Sequence, residues 1–299
     1  MADPMADAQR TGVAIREPLA WHDLVQVVQT AEQTGYEALF VPEGLGREAF
    51  ATLAGLAPAT ERILLGPGVA AVTARHARTA AMAAATVQEL SGGRFILGIG
   101  AGFERKIEAI RAYVNEVRQT QLSFDAGPTP AVWLAALGDR MIALAGEIAD
   151  GVLLNWCTPE RVQQARATLT EAAERAGRDS KSVTLATYIR ACIEPDETVA
   201  LQAIQPQAQQ YASIPHYRQQ FDRMGLSKEA EQAARGDLPA ALIRAIALAG
   251  DPEAAKQRLQ AYRDAGADLP VVYPVPALEP VSSMTGTILA LAPHPALEA

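Results

Sequence analysis

Strand-like and helix-like segments alternate along the whole 299-residue chain, and this alternation limits the fold more than any other feature. Short apolar runs at 12–15, 37–41, within 62–72, and at 94–99, 131–136, 151–154, 182–191 and 269–273 read as strands. Amphipathic segments at 21–34, 49–60, 75–90, 104–119, 140–148, 159–176 and 252–265 carry apolar residues at helical spacing. The strands lack an alternating polar face, as a parallel sheet covered on both sides requires. Eight strand–helix pairs predict an α/β fold, a (β/α)8 TIM barrel with a helical insertion before the last strand. A doubly wound sheet normally has fewer strands and a reversal in their order. One domain is expected over 1–299, with its barrel core at 10–277. The polar, Gln-rich stretch 195–237 is the insertion, and 278–299, with Pro280, Pro293 and Pro295, is a Pro-rich tail.

Composition removes several classes of function. Hydrophobic residues make up 49% of the chain, ample for a large core, and a net charge of −8 argues against a nucleic-acid surface. Cys157 and Cys192 are too few for a disulfide framework or a zinc site and read as reduced core thiols. No run of about 18 apolar residues is present, and the first ten residues lack the apolar core of a signal peptide. The expectation is a cytoplasmic protein with no membrane, nucleic-acid or metal partner and a small-molecule substrate.

Residues 90–102, L-S-G-G-R-F-I-L-G-I-G-A-G, are the most informative local stretch. Ser91, Gly92 and Gly93 stop a helix, glycine taking the left-handed cap conformation freely. Gly98, Gly100 and Gly102 then alternate where the following strand ends, so that bare backbone can pass close to something flat or bulky. In a barrel of this kind ligands lie at the C-terminal ends of the strands. The candidates are therefore Glu43, Gly68 and Val69, Gly100 to Gly102, the turn Ala136-Leu137-Gly138-Asp139-Arg140, Asn155 to Cys157, and Arg190.

The turn at Gly138 suits a phosphate, because the first amides of the next helix are unpaired and Arg140 adds charge. It also suits an ordinary turn with Asp139 as the helix cap. Glu43 is either an acid–base group or a solvated loop carboxylate. Arg75 is an ion-pair partner or a ligand contact, and His76 a structural histidine or a base. Arg161, Arg166, Glu171 and Glu174 fall at helical spacing and read as a solvated face. The glycines do not match a dinucleotide fingerprint, and no P-loop or nucleophile-elbow motif occurs.

Several segments together resemble the bacterial luciferase-like monooxygenases, in particular their deazaflavin-dependent reductases and dehydrogenases. The segments are A-E-Q-T-G-Y-E-A-L-F-V-P-E (31–43), E-R-I-L-L-G-P-G-V (61–69) with R-H (75–76), residues 90–102, and A-A-L-G-D-R-M-I-A-L-A-G-E-I-A-D-G-V-L-L-N (135–155). The resemblance implies a barrel that binds coenzyme F420, or alternatively FMN. The ring would rest at the strand ends against Gly68, Val69, Gly100, Ala101 and Gly102. The phosphate would lie on Ala136, Leu137, Gly138, Asp139 and Arg140, with Glu43 and His76 as candidate catalytic groups. It also implies a non-prolyl cis peptide at Gly68–Val69, a homodimer, and supply of reduced cofactor by a separate flavin or F420 reductase. The implied activity is hydride transfer between coenzyme F420 and a small organic substrate. An FMN-dependent monooxygenase and a non-catalytic flavin-binding barrel are the alternatives. Phe103 stands where some relatives carry a glutamate, and Glu43-Gly44 where several have an acidic–histidine pair, which is what keeps the non-catalytic alternative open.

Overall fold

The computed structural model describes residues 9–16, 18–44, 46–102, 104 and 106–294. Its first half runs β1 (Gly12–Ala14), α1 (Trp21–Gln33), β2 (Ala38–Val41), α2 (Ala49–Leu56), β3 (Leu64–Pro67), β4 (Ala70–Ala71), α3 (Ala77–Leu90), β5 (Ile96–Gly100), α4 (Ile107–Gln119), β6 (Ala131–Ala135) and α5 (Asp139–Ile148). The second half runs β7 (Gly151–Asn155), α6 (Pro159–Arg175), β8 (Thr184–Cys192), α7 (Glu197–Ala212), α8 (Pro215–Arg223), α9 (Ser227–Ala234), α10 (Ala240–Ile246), β9 (Ala247–Ala249), α11 (Pro252–Asp264), β10 (Leu269–Pro274) and α12 (Pro280–Ala290).

All pairings are parallel, in the order β3-β2-β1-β10-β8-β7-β6-β5-β4, with β9 added beside β8. A bridge between Leu65 and Phe95 brings β3 against the start of β5 and closes the ring. The third barrel position is thus one strand cut in two, β3 and β4, by a bulge at Gly68-Val69, and the eight-position TIM barrel expected from the sequence is the one observed.

Side chains alternate between two cores, as successive residues of a strand must. Ala38 and Phe40 of β2 point into the barrel with Trp133, Tyr188, Val271 and Tyr273, whereas Leu39, Val41 and Val272 pack outward under the helices. The interior rings touch one another: Phe40 lies 5.7 Å from Trp133 and 5.8 Å from Tyr188, centroid to centroid. Each such aromatic pair contributes on the order of 1 kcal/mol beyond its burial.

The base of the barrel is held by polar side chains aimed at backbone. Arg94 donates to the carbonyls of Ala57, Thr60, Ile63 and Ser91 at 2.7–3.0 Å. Glu32 Oε1 accepts from the amides of Glu61, Arg62 and Ile63. Burial opposes ionisation of Glu32, but the three amides outweigh it and hold the carboxyl below its ordinary value. In the opening of residues 90–102, Gly93 takes φ +92° after α3, as a helix stop requires. That half of the motif is structural.

Two departures from the sequence reading lie in the second half of the chain. The region 195–237 forms α7, α8 and α9, and α10 and β9 follow it unannounced. The end of the chain is not a tail: residues 280–290 are α12, packed on α1 with Met284, Thr287 and Ile288 buried, and Tyr36 donates to the Ile288 carbonyl at 2.9 Å. Pro280 sits at the first turn of α12, where proline is favoured, and so starts a helix. Among the described residues no helix is long and apolar enough to cross a membrane.

Candidate active site

The strand ends of β3, β5, β6 and β7 converge on one cavity of about 470 Å³. Its walls include Gly68 and Val69 from the bulge, Gly100, Ala101 and Gly102 after β5, and Ala136, Leu137 and Gly138 after β6. Leu153, Leu154, Asn155 and Tyr188 form the far side, and α7 and α8 cover it with Tyr211, His216, Tyr217 and Arg223. The peptide bond Gly68–Val69 is cis.

The strand-end glycines also make room for neighbouring parts of the protein. A Cβ on Gly98 would lie 2.2 Å from the Pro67 carbonyl oxygen, and one on Gly100 would lie 2.4 Å from Val69 Cγ2. Gly102 has φ +58°, and a Cβ there would meet Thr73 Oγ1 at 2.4 Å. What passes close to β5 is therefore the bulge of the neighbouring strand. The bulge, seated on that bare backbone, is what faces the cavity.

The turn after β6 departs from the sequence reading at Asp139 and Arg140. Gly138 is the N-cap of α5, with no side-chain cap bond, and Asp139 lies one residue inside the helix. Asp139 and Arg140 are both exposed and lie outside the cavity wall. The Asp139 carboxylate instead accepts from Arg161 at 2.6 Å, and the same guanidinium donates to the Leu137 carbonyl at 3.0 Å. Arg161 is 4% exposed, so it is no part of a solvated face: it braces the turn from behind. Arg166 is likewise engaged, with the Gly266 carbonyl and Asp268, while Glu171 and Glu174 are exposed as expected. The cation that reaches the turn is Arg223, whose Nη2 lies 3.6 Å from the position of a Cβ on Gly138. No local signal marks Arg223, because it arrives from α8, some 85 residues downstream of the turn.

Of the candidate catalytic groups, Glu43 reaches the cavity wall, but both its oxygens are taken by Arg75, at 2.7 and 3.0 Å. Arg75 also pairs with Glu48 and lies over the Phe50 ring at 4.7 Å. It is an ion-pair anchor. His76 lies outside the cavity wall, with its side chain 72% exposed; its Nδ1 accepts from the Arg78 amide and caps α3. Its placement as the residue before a helix explains it as a cap and removes it as a base acting in this cavity. Phe103 lies outside the described residues.

Behind the far wall sits a buried cation. Arg190 is 2% exposed, with its guanidinium 4.3 Å from the Trp156 ring, 4.4 Å from Tyr273 and 5.2 Å from Tyr211. Nε donates to Gln207 Oε1 at 3.1 Å and Nη1 donates to Asn155 Oδ1. Asn155 Nδ2 in turn donates to the Tyr217 hydroxyl at 2.8 Å. Trp156, with φ +54°, is held in that left-handed conformation among Arg190, Tyr211 and Phe221. Burial raises both the Tyr217 and the Tyr188 phenols above their ordinary value. The Tyr188 hydroxyl is buried without a hydrogen-bond partner among the described residues. Cys157 and Cys192 are free and buried, and burial pushes both thiols up to about 12. Among the described residues, no group of three or more His, Cys, Asp or Glu is placed to hold a metal ion.

Comparison with known proteins bears on the family and the fold. The family model for luciferase-like monooxygenases matches residues 5–113 and 104–269. The 5,10-methylenetetrahydromethanopterin reductase of Methanolobus tindarius is 29% identical over 287 residues, covering 81% of this chain and 87% of the reductase. Among solved structures, the coenzyme F420-dependent tetrahydromethanopterin reductase of Methanopyrus kandleri superposes with a TM-score of 0.75 at 21% identity, over 95% of this chain and 97% of that one. An F420-dependent secondary alcohol dehydrogenase, in complex with an F420–acetone adduct, superposes with a TM-score of 0.73 at 14% identity, over 94% and 99%.

Proposed function

The chain belongs to the luciferase-like monooxygenase family, and we propose that it is an oxidoreductase that moves a hydride between coenzyme F420 and a small organic substrate. The observation that carries this reading is the convergence of three backbone walls, at 68–69, 100–102 and 136–138, on one cavity with Arg223 at the turn. A flat ring is suited to walls of glycine and small apolar residues, and a phosphate is suited to the first amides of α5 beside a guanidinium.

The residues present fit a deazaflavin on two counts. The Tyr188 hydroxyl has no partner among the described residues, and a heteroatom of a ring seated against Gly68 would supply one. Volume also fits, since about 470 Å³ lies in the usual range for a cofactor headgroup. Gly68, Val69, Gly100, Ala101 and Gly102 would hold the ring, and Ala136, Leu137, Gly138 and Arg223 the phosphate. When bound, the deazaflavin supplies a carbon that gives or takes a hydride. The chain's own residues orient that ring on the bulge, exclude water with α7 and α8, and hold charge at the phosphate end. Arg75 holds Glu43 in place as part of the wall. A homodimer, with reduced cofactor delivered by a separate reductase, completes the reading, and sedimentation at micromolar concentration tests its first half.

Fluorescence titration with oxidised F420 and with FMN tests the cofactor. The expected result is saturable F420 binding at least tenfold tighter than FMN. Tighter FMN binding, with oxygen consumption when reduced FMN is supplied, would replace this reading with the FMN-dependent monooxygenase. Binding of either cofactor without turnover of any substrate would leave the non-catalytic barrel.

A further inference from the structure

The chain of hydrogen bonds from Gln207 through Arg190 and Asn155 to Tyr217 has only one possible polarity. A guanidinium can donate but never accept, so the Asn155 oxygen must face Arg190 and its amide nitrogen must face Tyr217. The Tyr217 oxygen therefore accepts, and its own proton is turned away from Asn155. Tyr217 lines the cavity, and no acceptor for that proton occurs among the described residues. Its ring is fixed edge-on against Tyr211, with centroids 4.6 Å apart. An oriented O–H donor thus faces the same space as the bulge and the strand-end backbone.

Such a donor discriminates between acceptors of a hydride. Addition to a cationic iminium carbon ends at a neutral amine and needs no proton. Addition to a carbonyl places a negative charge on oxygen and does need one. Resting on the hydride-transfer reading above, we propose that Tyr217 is the catalytic acid of this site and that the substrate is a ketone or aldehyde, with the matching alcohol in the reverse direction. The carbonyl carbon gains a C–H bond by taking a hydride from the reduced deazaflavin, which is thereby oxidised. The C=O π pair moves to oxygen, and the oxygen takes the Tyr217 proton to become the alcohol O–H. The phenolate left behind is stabilised by the Asn155 amide N–H and by the charge of Arg190, and is reprotonated from solvent. Arg190 and Asn155 are positioning residues, since they act only through Tyr217.

The test uses two conservative variants and an unreactive carbonyl. Y217F removes the hydroxyl and keeps the ring. N155D reverses the polarity: the new carboxylate accepts from both Arg190 and Tyr217, drawing the phenol proton out of the cavity. Oxidised F420 is titrated by fluorescence into wild type, Y217F and N155D, and isobutyramide is then titrated into each loaded protein. The expected result is F420 affinity within twofold throughout, and isobutyramide bound about tenfold more weakly by both variants, the worth of one neutral hydrogen bond. Single turnovers of reduced F420 with cyclohexanone should show a solvent isotope effect in wild type that disappears in Y217F. Equal isobutyramide affinity in all three proteins, or none in wild type, overturns the role of Tyr217 while leaving the cofactor reading intact. Failure of wild type to bind F420 overturns the cofactor reading itself, and the proton-donor role with it.

Discussion

The cavity has two sides built on opposite principles. On the β3–β5 side the wall is built around backbone, held close because glycines at 98 and 100 leave room for the bulge at Pro67 to Val69 and Gly102 leaves room for Ala71 and Thr73. On the β7–β8 side the wall is side chains: Asn155, Tyr188 and Tyr217, backed by Arg190 within its cage of rings. The backbone side offers shape and little chemistry. The side-chain side offers donors of fixed direction, so it is where the proposed selectivity for a reacting group would reside.

Breaking the backbone side should cost the most. Gly98→Val drives a side chain into the Pro67 carbonyl, 2.2 Å from the new Cβ, with no flexible atom able to yield. We expect a loss of about 3 kcal/mol of stability, the upper end of ordinary core overpacking, together with loss of F420 binding. Chemical denaturation and the fluorescence titration measure the two effects, and a stable protein that binds F420 normally would show that the glycines do not seat the bulge.

Breaking the side-chain side should cost less. Arg190→Met keeps most of the volume and the contact with the rings but leaves the oxygens of Asn155 and Gln207 without their donor. Each bond is worth on the order of 1 kcal/mol, so a loss of about 2 kcal/mol is expected. Because Gln207 belongs to α7, proteolysis should also open the 195–237 region first. Unchanged denaturation and unchanged cleavage would mean that the buried cation does not join the insertion to the barrel.

The smallest effect sharpens the contrast at the phosphate end. Arg223→Gln should weaken F420 about tenfold, the value of one charge-assisted contact at a partly open site. Arg140→Gln, one residue beyond Asp139 on exposed helix, should change it by less than twofold. Equal effects of the two substitutions in the same titration would return the phosphate to the local turn.

How much of this was legible depends on how far along the chain each feature reaches. The strand at 94–99, the stop at Gly92-Gly93 and the turn at Gly138 are local matters of period and glycine placement, and they stand in the structure within a residue or two. Arg161 and Arg166 were misread as a solvated face because helical spacing records which residues share a face, not which of that face's neighbours are carbonyls and carboxylates. The presumed tail failed for a related reason. Proline count resembled an unstructured end, but Pro280 at the first turn of α12 is a helix start, and only packing on α1 reveals it. His76 was a reasonable chemical candidate whose location, capping α3 outside the cavity wall, removes it.

By itself the sequence determined the barrel, the ends of its strands and the backbone part of the site, because periodicity and glycine act over a few residues. Tertiary structure decided which side chains line the cavity or brace its wall. Arg223, Tyr217 and Gln207 come from helices far along the chain, and only the closing of the sheet brings them over β6, β7 and β8. It also decided the direction of each donor. Whether Asn155 gives or receives at Tyr217 depends on a guanidinium 35 residues away in sequence, and that orientation, absent from any local pattern, is what converts a glycine-lined seat into a site with a proton to give.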